Sequence, residues 1–499
     1  MGDRSAASVR VMATHRSTRR SLSVAVGVVV GVVVLAGCDS AGVRATHSET
    51  EATVPTVPTG DTSAPEVAFT GDDLFPELGN PSIDVRHYDL DLRYDAETDR
   101  LEGSVSLELT AVESIDEVRL DSDGPNVSAV TIGGTDATFE STDGDLVVAL
   151  PDGLEPGDEA VMRVDYSLQP RGGAGSIGLP SGWFNTPGGS YTLNEPDGAH
   201  SWLPCNDHPS DKATFTFRIT VAPGVTAVAN GGLATHTETP EGDTWVWQET
   251  LPMATYLIQV LTGDYEVIDG TGPHGLPLVH AVLRSDVSAA SDLFDLTVEQ
   301  IGFLEEWFGP YPLDRYGLAI TDSESGLAME TQERSLFSRD DLVIGPPDFM
   351  QHLLLSHELT HQWFGDAVSP ARWSDIWLNE SFATYGQWMW MEHAGFGSVD
   401  SAATDALRVR PVGSSADPTV DDMFGFNSYD GGAVVLHALR RTVGDDDFFA
   451  LMRRWVADYN GTSRTTDEFI AMAEDETGED LAEFFDEWLF AAELPSRFP

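Results

Sequence analysis

The stretch His357-Glu358-Leu359-Thr360-His361, continuing as QWFGDAVSPARWSDIWLNESFATY to Tyr385, decides how the rest of the chain is read. On a helix, residues four apart stand on one face. His357 and His361 can therefore offer both imidazoles to a single ion, with Glu358 beside a water on that ion. A catalytic zinc takes three protein ligands and keeps a fourth position open. Glu380 lies beyond Gly365 and the Ser369-Pro370 turn, where a second helix can pack on the first. Its neighbours Trp377, Leu378, Phe382 and Ala383 are apolar, so that helix is buried and Glu380 is the natural third ligand. His352 falls off the face of His357 and reads as structural.

Around this segment the periodicity is helical. Helices are predicted over 291–308, ended by Gly309-Pro310, over 347–364, ended by Gly365, and over 375–394. Further helices are expected over 445–459 and after Thr466 and Glu479. Upstream, the period is two. Tyr88, Leu90, Leu92 and Tyr94 alternate with polar residues, as do Val105, Leu107 and Leu109, and Phe215, Phe217, Ile219 and Val221. Turn signals such as Asp123-Gly124 and Gly133-Gly134 punctuate them, which predicts an antiparallel, half-buried β domain. The glycine-rich RGGAGS at 171–176 lacks the Gly-Lys-Ser/Thr context of a phosphate loop and reads as an ordinary loop.

Three further segments accompany the HELTH helix: GLAMET at 326–331, NSYDGGAVVLHALR at 427–440 and LNEPDGAHSWLPCNDHPSDKATFTF at 193–217. Together these resemble the aminopeptidase N family of gluzincin zinc metallopeptidases, in the form of a two-domain bacterial lipoprotein. The likeness runs from about His87 to the end. It implies an α+β fold: an amino-terminal antiparallel β-sandwich-like domain, then a mostly helical thermolysin-like zinc peptidase domain with an open site. It implies one Zn2+ per chain on His357, His361 and Glu380, with Glu358 as general base and then proton donor. Tyr429 would donate to the developing oxyanion. Glu330 and Glu195 would bind the free α-ammonium group of a peptide substrate, with Ala328 and Met329 lining the cleft. The chain departs from the family pattern at Thr331, Leu327, Leu193 and Gly431, where asparagine, glycine, glutamine and lysine are common. Two other functions use the same residues: an endopeptidase in which Glu330 and Glu195 are idle, and a catalytically inactive, lipid-anchored peptide-binding protein.

The amino terminus reads as a targeting segment. Arg16, Arg19 and Arg20 precede an apolar run that ends in Leu35-Ala36-Gly37-Cys38, which looks like a lipobox. The run is short of the roughly 20 residues a spanning helix needs. The expected order is a lipoprotein signal peptide over 1–37, a flexible tether over 38–72 beginning at lipidated Cys38, the β domain over 73–268 and the catalytic domain over 269–499. That places the protein outside the cytoplasm, held on the cell membrane by its lipid. The tether is rich in Thr, Ser, Pro and Glu and cannot bury enough apolar surface to order itself.

The formal net charge is −55, with a single lysine, Lys212, and no basic stripe, so nucleic-acid binding is excluded. Two cysteines, one of them Cys38, leave no disulfide framework, and Cys205 is expected as a buried structural residue.

Overall fold

The computed structural model describes residues 71–142, 144–323 and 326–499. The expected signal peptide, Cys38 and nearly all of the expected tether lie outside the described residues. Asp72, expected as the tether's last residue, is buried, and its Oδ2 accepts the backbone N–H of Trp373 at 2.6 Å. Among the described residues, no helix is long and apolar enough to cross a membrane.

The β half is built on an eight-stranded sheet. Its order runs Gly232–Thr239, Gly242–Met253, Ala213–Val221, Ile83–Asp95, Arg100–Ala111, Glu159–Leu168, Asn126–Ile132 and Thr135–Asp136. The alternation seen in the sequence is the pleat itself: Tyr88, Leu90 and Leu92, and Phe215, Phe217 and Ile219, are wholly buried. Smaller sheets, one through Ile115–Asp121 and Asp145–Leu154 and another through Pro180–Thr186 and Gly189–Leu193, contribute to the same apolar core, which makes the half sandwich-like. One expectation is corrected. The central pair, Ile83–Asp95 with Ala213–Val221, is parallel, in register from His87 opposite Thr214 to Arg93 opposite Thr220. A hairpin forces antiparallel pairing, but these strands are joined by a long excursion through the rest of the domain, which leaves their direction free. Cys205 is a free, fully buried thiol in this core.

Strand Tyr265–Thr271, which spans the expected boundary at 268/269, opens a second five-stranded sheet. The order there is Tyr265–Thr271, Pro277–Leu283, Leu318–Thr321, Ser335–Ser338 and Ala328–Met329, so the short strand bearing Ala328 and Met329 is an edge. The main helices follow: α1 (Val287–Phe308), α2 (Asp348–Thr360), α3 (Trp377–His393), α4 (Gly432–Val443), α5 (Asp445–Tyr459) and α6 (Thr466–Thr477). Helix α6 opens on a full capping box between Thr465 and Glu468, an arrangement worth ~1 kcal/mol. Helix α3 is buried from Trp377 to Trp390 apart from half-buried Gln387, so its apolar residues and the polar Asn379, Glu380, Ser381 and Thr384 all face protein.

The two halves meet along a polar seam. Lys212 Nζ donates to the carbonyl of Asp366 at 2.6 Å, Tyr256 OH to that of Gly365 at 3.2 Å, and Asn230 Nδ2 to that of Gln332 at 2.9 Å. Lone buried carbonyls are costly, so these bonds fix how the β half docks.

Candidate metal centre and active site

Helix α2 ends with His361 as its capping residue, so His357 and His361 share the face of its last turn. Helix α3 carries Glu380 in its first turn. The helices approach closely at Gly386: a Cβ there would lie 2.5 Å from Thr360 Oγ1, so only glycine lets the helices sit at this separation. His357 Nε2, His361 Nε2 and Glu380 Oε2 then form a triangle with sides of 3.3, 3.3 and 3.4 Å. Two ligand atoms held 2.0–2.1 Å from one tetrahedral centre lie about 3.3–3.4 Å apart. Glu380 Oε2 is buried with no hydrogen-bond donor among the described residues. The donor types, the spacing and this open oxygen fit a zinc ion with a fourth position free. His361 Nδ1 lies 3.1 Å from the carbonyl of Phe364 and donates to it, which leaves Nε2 as the metal-facing nitrogen.

The electrostatics of the cluster are short of positive charge. Burial alone would raise Glu380, but His361 and His357 pull it down to about 2. Burial drives the Glu358 carboxyl well above the usual range; His361 opposes this, and Glu330 and Glu380 add to it. One donor atom from each of Glu330, Glu358 and His361 lies within 4.8 Å of the others. Glu195 is pushed far up by burial and then by Glu330 and Glu380, and Glu330 is raised chiefly by burial. Glu195 Oε1 and Glu330 Oε1 are both buried without a hydrogen-bond partner among the described residues. Four carboxyl groups around two imidazoles form a site that a divalent cation and a second, ligand-borne positive charge would balance.

Tyr429 lies in a π-helical turn, Asn427–Gly431, that leads into α4. Such turns insert one extra residue and re-aim a side chain. The ring stacks on His357, 5.9 Å between centroids and 12° between planes, and its hydroxyl reaches Glu380. Burial and the neighbouring carboxylates Glu380 and Glu195 hold the phenol well above its usual pKa, so it stays an O–H donor. Met329 is buried and Ala328 half-buried on the edge strand next to Glu330. His352 is away from the site, accepting from Trp390 Nε1 at 3.1 Å.

The structure thus brings His357, Glu358, His361, Glu380, Tyr429, Glu330 and Glu195 into one cluster, with Ala328 and Met329 at its rim. It also adds residues that sequence reasoning passed over. Gln362 donates through Nε2 to the carbonyl of Glu330 at 2.9 Å and accepts the N–H of Glu333 at 2.8 Å, tying the Glu330 turn to α2. The signal was a polar residue between His361 and the buried Trp363-Phe364 pair. Thr331 donates to the carbonyl of Arg334 at 2.5 Å and accepts from Gln259 Nε2 at 2.7 Å, so this departure from the family pattern is used internally.

Comparison with known proteins gives one family. Residues 293–488 match the peptidase family M1 domain, and residues 85–257 match the peptidase M1 N-terminal domain. Probable aminopeptidase 2 of Sulfurisphaera tokodaii is 25% identical over 395 residues, 75% of this chain and 49% of that protein. Human endoplasmic reticulum aminopeptidase 1 is 30% identical over 281 residues, 52% of this chain and 30% of that protein. The chain therefore spans about half the length, or less, of these relatives. The crystal structure of an M1 zinc metallopeptidase from Deinococcus radiodurans superposes with a TM-score of 0.78 at 32% identity, covering 86% of this chain and 99% of that one. A mutant of that protein was solved with a Tyr-Ser-Ala substrate bound, again with a TM-score of 0.78, at 31% identity and with the same coverage. With both halves matched in order and a solved relative covered end to end, the chain belongs to peptidase family M1.

Proposed function

We propose that the protein is a zinc-dependent aminopeptidase that hydrolyses the first peptide bond of peptides with a free amino terminus, held outside the cytoplasm by a lipid on Cys38. The observation that carries the enzymatic part is the pair Glu195 and Glu330: two carboxyl groups with buried, unpartnered oxygens beside the metal-ligand triangle. A substrate α-ammonium group satisfies both. A neutral internal peptide nitrogen offers no charge to offset their desolvation, so a chain end is selected.

The remaining residues have complementary tasks. The open side of the edge strand Ala328–Met329 can pair with the backbone of an extended peptide and set its register. Bound zinc supplies Lewis acidity, polarising the scissile carbonyl and lowering the pKa of water toward about 7. Glu358, whose carboxyl holds a proton readily, takes one from the attacking water and delivers it to the departing amine. The Tyr429 hydroxyl donates to the oxygen on which negative charge develops. His357, His361 and Glu380 are held rigid by two packed helices, so the site needs little reorganisation.

The test is hydrolysis of aminoacyl-arylamides, free and N-acetylated, by the protein and its Glu358→Gln variant. Cleavage of only the free-amine forms, lost in the variant, is expected. Equal cleavage of acetylated substrates would replace this reading with an endopeptidase. For the anchor, incorporation of labelled fatty acid that persists in Cys38→Ser would disprove lipidation at that thiol.

A further inference from the structure

Two buried carboxyl groups, Glu249 and Glu333, are not used by the reaction. Glu333 is fully buried three residues beyond Glu330, with a left-handed backbone at φ 65°. A non-glycine residue holds that conformation only where its surroundings over-determine it. Here they do. Its N–H donates to Gln362, its Oε1 accepts the N–H of Asp314 at 3.2 Å, and its Oε2 pairs with Arg315. Glu249 comes from the β half, on strand Gly242–Met253, and is 1% exposed. Its Oε1 accepts the N–H of Leu251 at 2.9 Å. Its carboxyl lies within hydrogen-bonding reach of that of Glu333.

No N–H or O–H among the described residues reaches Glu249 Oε2. The titratable and charged groups facing the pair are Arg315, Asp314, Arg334 and Tyr311. Arg315 is engaged with Glu333. The guanidinium of Arg334 is taken up by the carbonyls of Val279 at 2.8 Å and Ala229 at 2.7 Å. Tyr311 OH is shared between the carbonyl of Arg315 and Gln362. What remains to join the two carboxyl groups is an acid proton of their own. Two such groups in contact in a dry seam cannot both be ionised without strong repulsion.

We propose that Glu249 and Glu333 share one proton, and that this contact is a clasp by which Glu249, a positioning residue, holds the turn that aims Glu330 at the substrate's amino terminus. The inference rests on the aminopeptidase reading. As pH rises and the shared proton leaves, the carboxylates repel, the turn loosens and the grip on the α-ammonium group weakens. KM rises while kcat changes little, because the metal ligands and Glu358 sit on α2 and α3. A glutamine at 249 donates through its amide at any pH, so it keeps the clasp and removes its pH dependence.

The experiment compares the zinc-loaded wild type with Glu249→Gln and Glu249→Ala, measuring KM and kcat for a free-amine arylamide from pH 6 to pH 10. Titration of the substrate amine is common to all three, so the difference between proteins reports the clasp. Relative to Glu249→Gln, wild type should show an additional rise in KM of about tenfold at the alkaline end. Glu249→Ala should have a raised KM at every pH, with Glu249→Gln restoring it at pH 6. Identical KM profiles in wild type and Glu249→Gln would overturn the clasp while leaving the aminopeptidase reading intact. Thermal unfolding gives a second readout that needs no turnover. An acid whose proton is retained by folding contributes stability at low pH that is lost as pH rises. Wild type should therefore lose about 2 °C or more against Glu249→Gln between pH 6 and pH 10. A constant gap would refute the shared proton even if no free-amine substrate were cleaved, and that absence of cleavage would count against the aminopeptidase reading alone.

Discussion

Replacing Gly432 by alanine should cripple the site without touching a single ligand. Gly432 opens α4 directly after the turn that carries Tyr429, and it faces α3 just beyond Glu380. A Cβ built there would lie 1.8 Å from Ser381 Oγ, 2.7 Å from Ser381 Cβ and 3.5 Å from Trp377 Cε3. The hydroxyl can rotate away, but it donates to the carbonyl of Ser428 at 2.6 Å, and losing that buried bond costs ~1 kcal/mol. The Ser381 Cβ cannot rotate away. Non-bonded carbons need about 3.5–4 Å, so α3 and α4 must part by about 1 Å at this point. Overpacking of this kind costs ~1–3 kcal/mol, against a gain of ~1 kcal/mol from alanine's better helix propensity. The catalytic effect is larger than the stability effect. Ser381 follows Glu380 and Ser428 precedes Tyr429, so the shift separates the proposed third metal ligand from the proposed oxyanion donor. A misplacement of 1 Å is worth about 10²-fold in rate. The assay is kcat and kcat/KM on a free-amine arylamide, with zinc content and thermal midpoint measured on the same samples. Adding Ser381→Gly removes both clashing atoms and should recover at least about tenfold of the loss. A Gly432→Ala protein within about threefold of wild type in kcat/KM, with an unchanged midpoint, would refute this account of how the two helices are spaced.

Other consequences are as direct. Tyr429→Phe should lower kcat by ~10²–10³ with little change in KM if, as proposed, the hydroxyl acts on charge that appears only in the transition state; a loss confined to KM would assign the ring to binding. Chelation should abolish activity and also lower the thermal midpoint, because it leaves His357, His361 and Glu380 mutually unsatisfied; at a thousandfold excess over Kd, zinc should restore ~4 kcal/mol, and an unchanged midpoint would show that the triangle does not hold the ion. His200 gives a pH signature away from the site. Its burial would lower its pKa, but Asp207, bonded to Nδ1 at 2.8 Å, and then Asp121 and Asp197, raise it from 6.5 to about 9. A raised histidine contributes stability that is full below pH 6.5 and lost as pH climbs through 9, about 3 kcal/mol in all. Denaturant unfolding of wild type and His200→Gln should therefore converge between those pH values, and a constant difference would show that Asp207 holds the ring by hydrogen bonding alone.

What was legible in the chain was local. The i, i+4 spacing of His357 and His361 fixes them on one helical face before any tertiary contact forms, and Glu380 lies close enough in sequence for one turn to return it. The helices over 291–308 and 445–459 and the alternating strands were readable because amphipathic period is a property of a few successive residues. The same reasoning reached Glu330, Tyr429 and Glu195 only through a resemblance, because nothing in their own neighbourhoods demands those roles. Contacts between residues distant in sequence were invisible. Pattern does not encode which strands of a long domain pair in parallel, so Ile83–Asp95 against Ala213–Val221 had to be seen. The docking of the β half through Lys212, Tyr256 and Asn230 is what carries Glu195 to Glu330 and Glu249 to Glu333. The sequence by itself determined the metal chemistry, because that depends on side-chain type and a single helical turn. Only the tertiary structure decided where we propose the substrate's charge is met, because that depends on which buried carboxyl oxygens, brought from separate halves of the chain, are left without a partner.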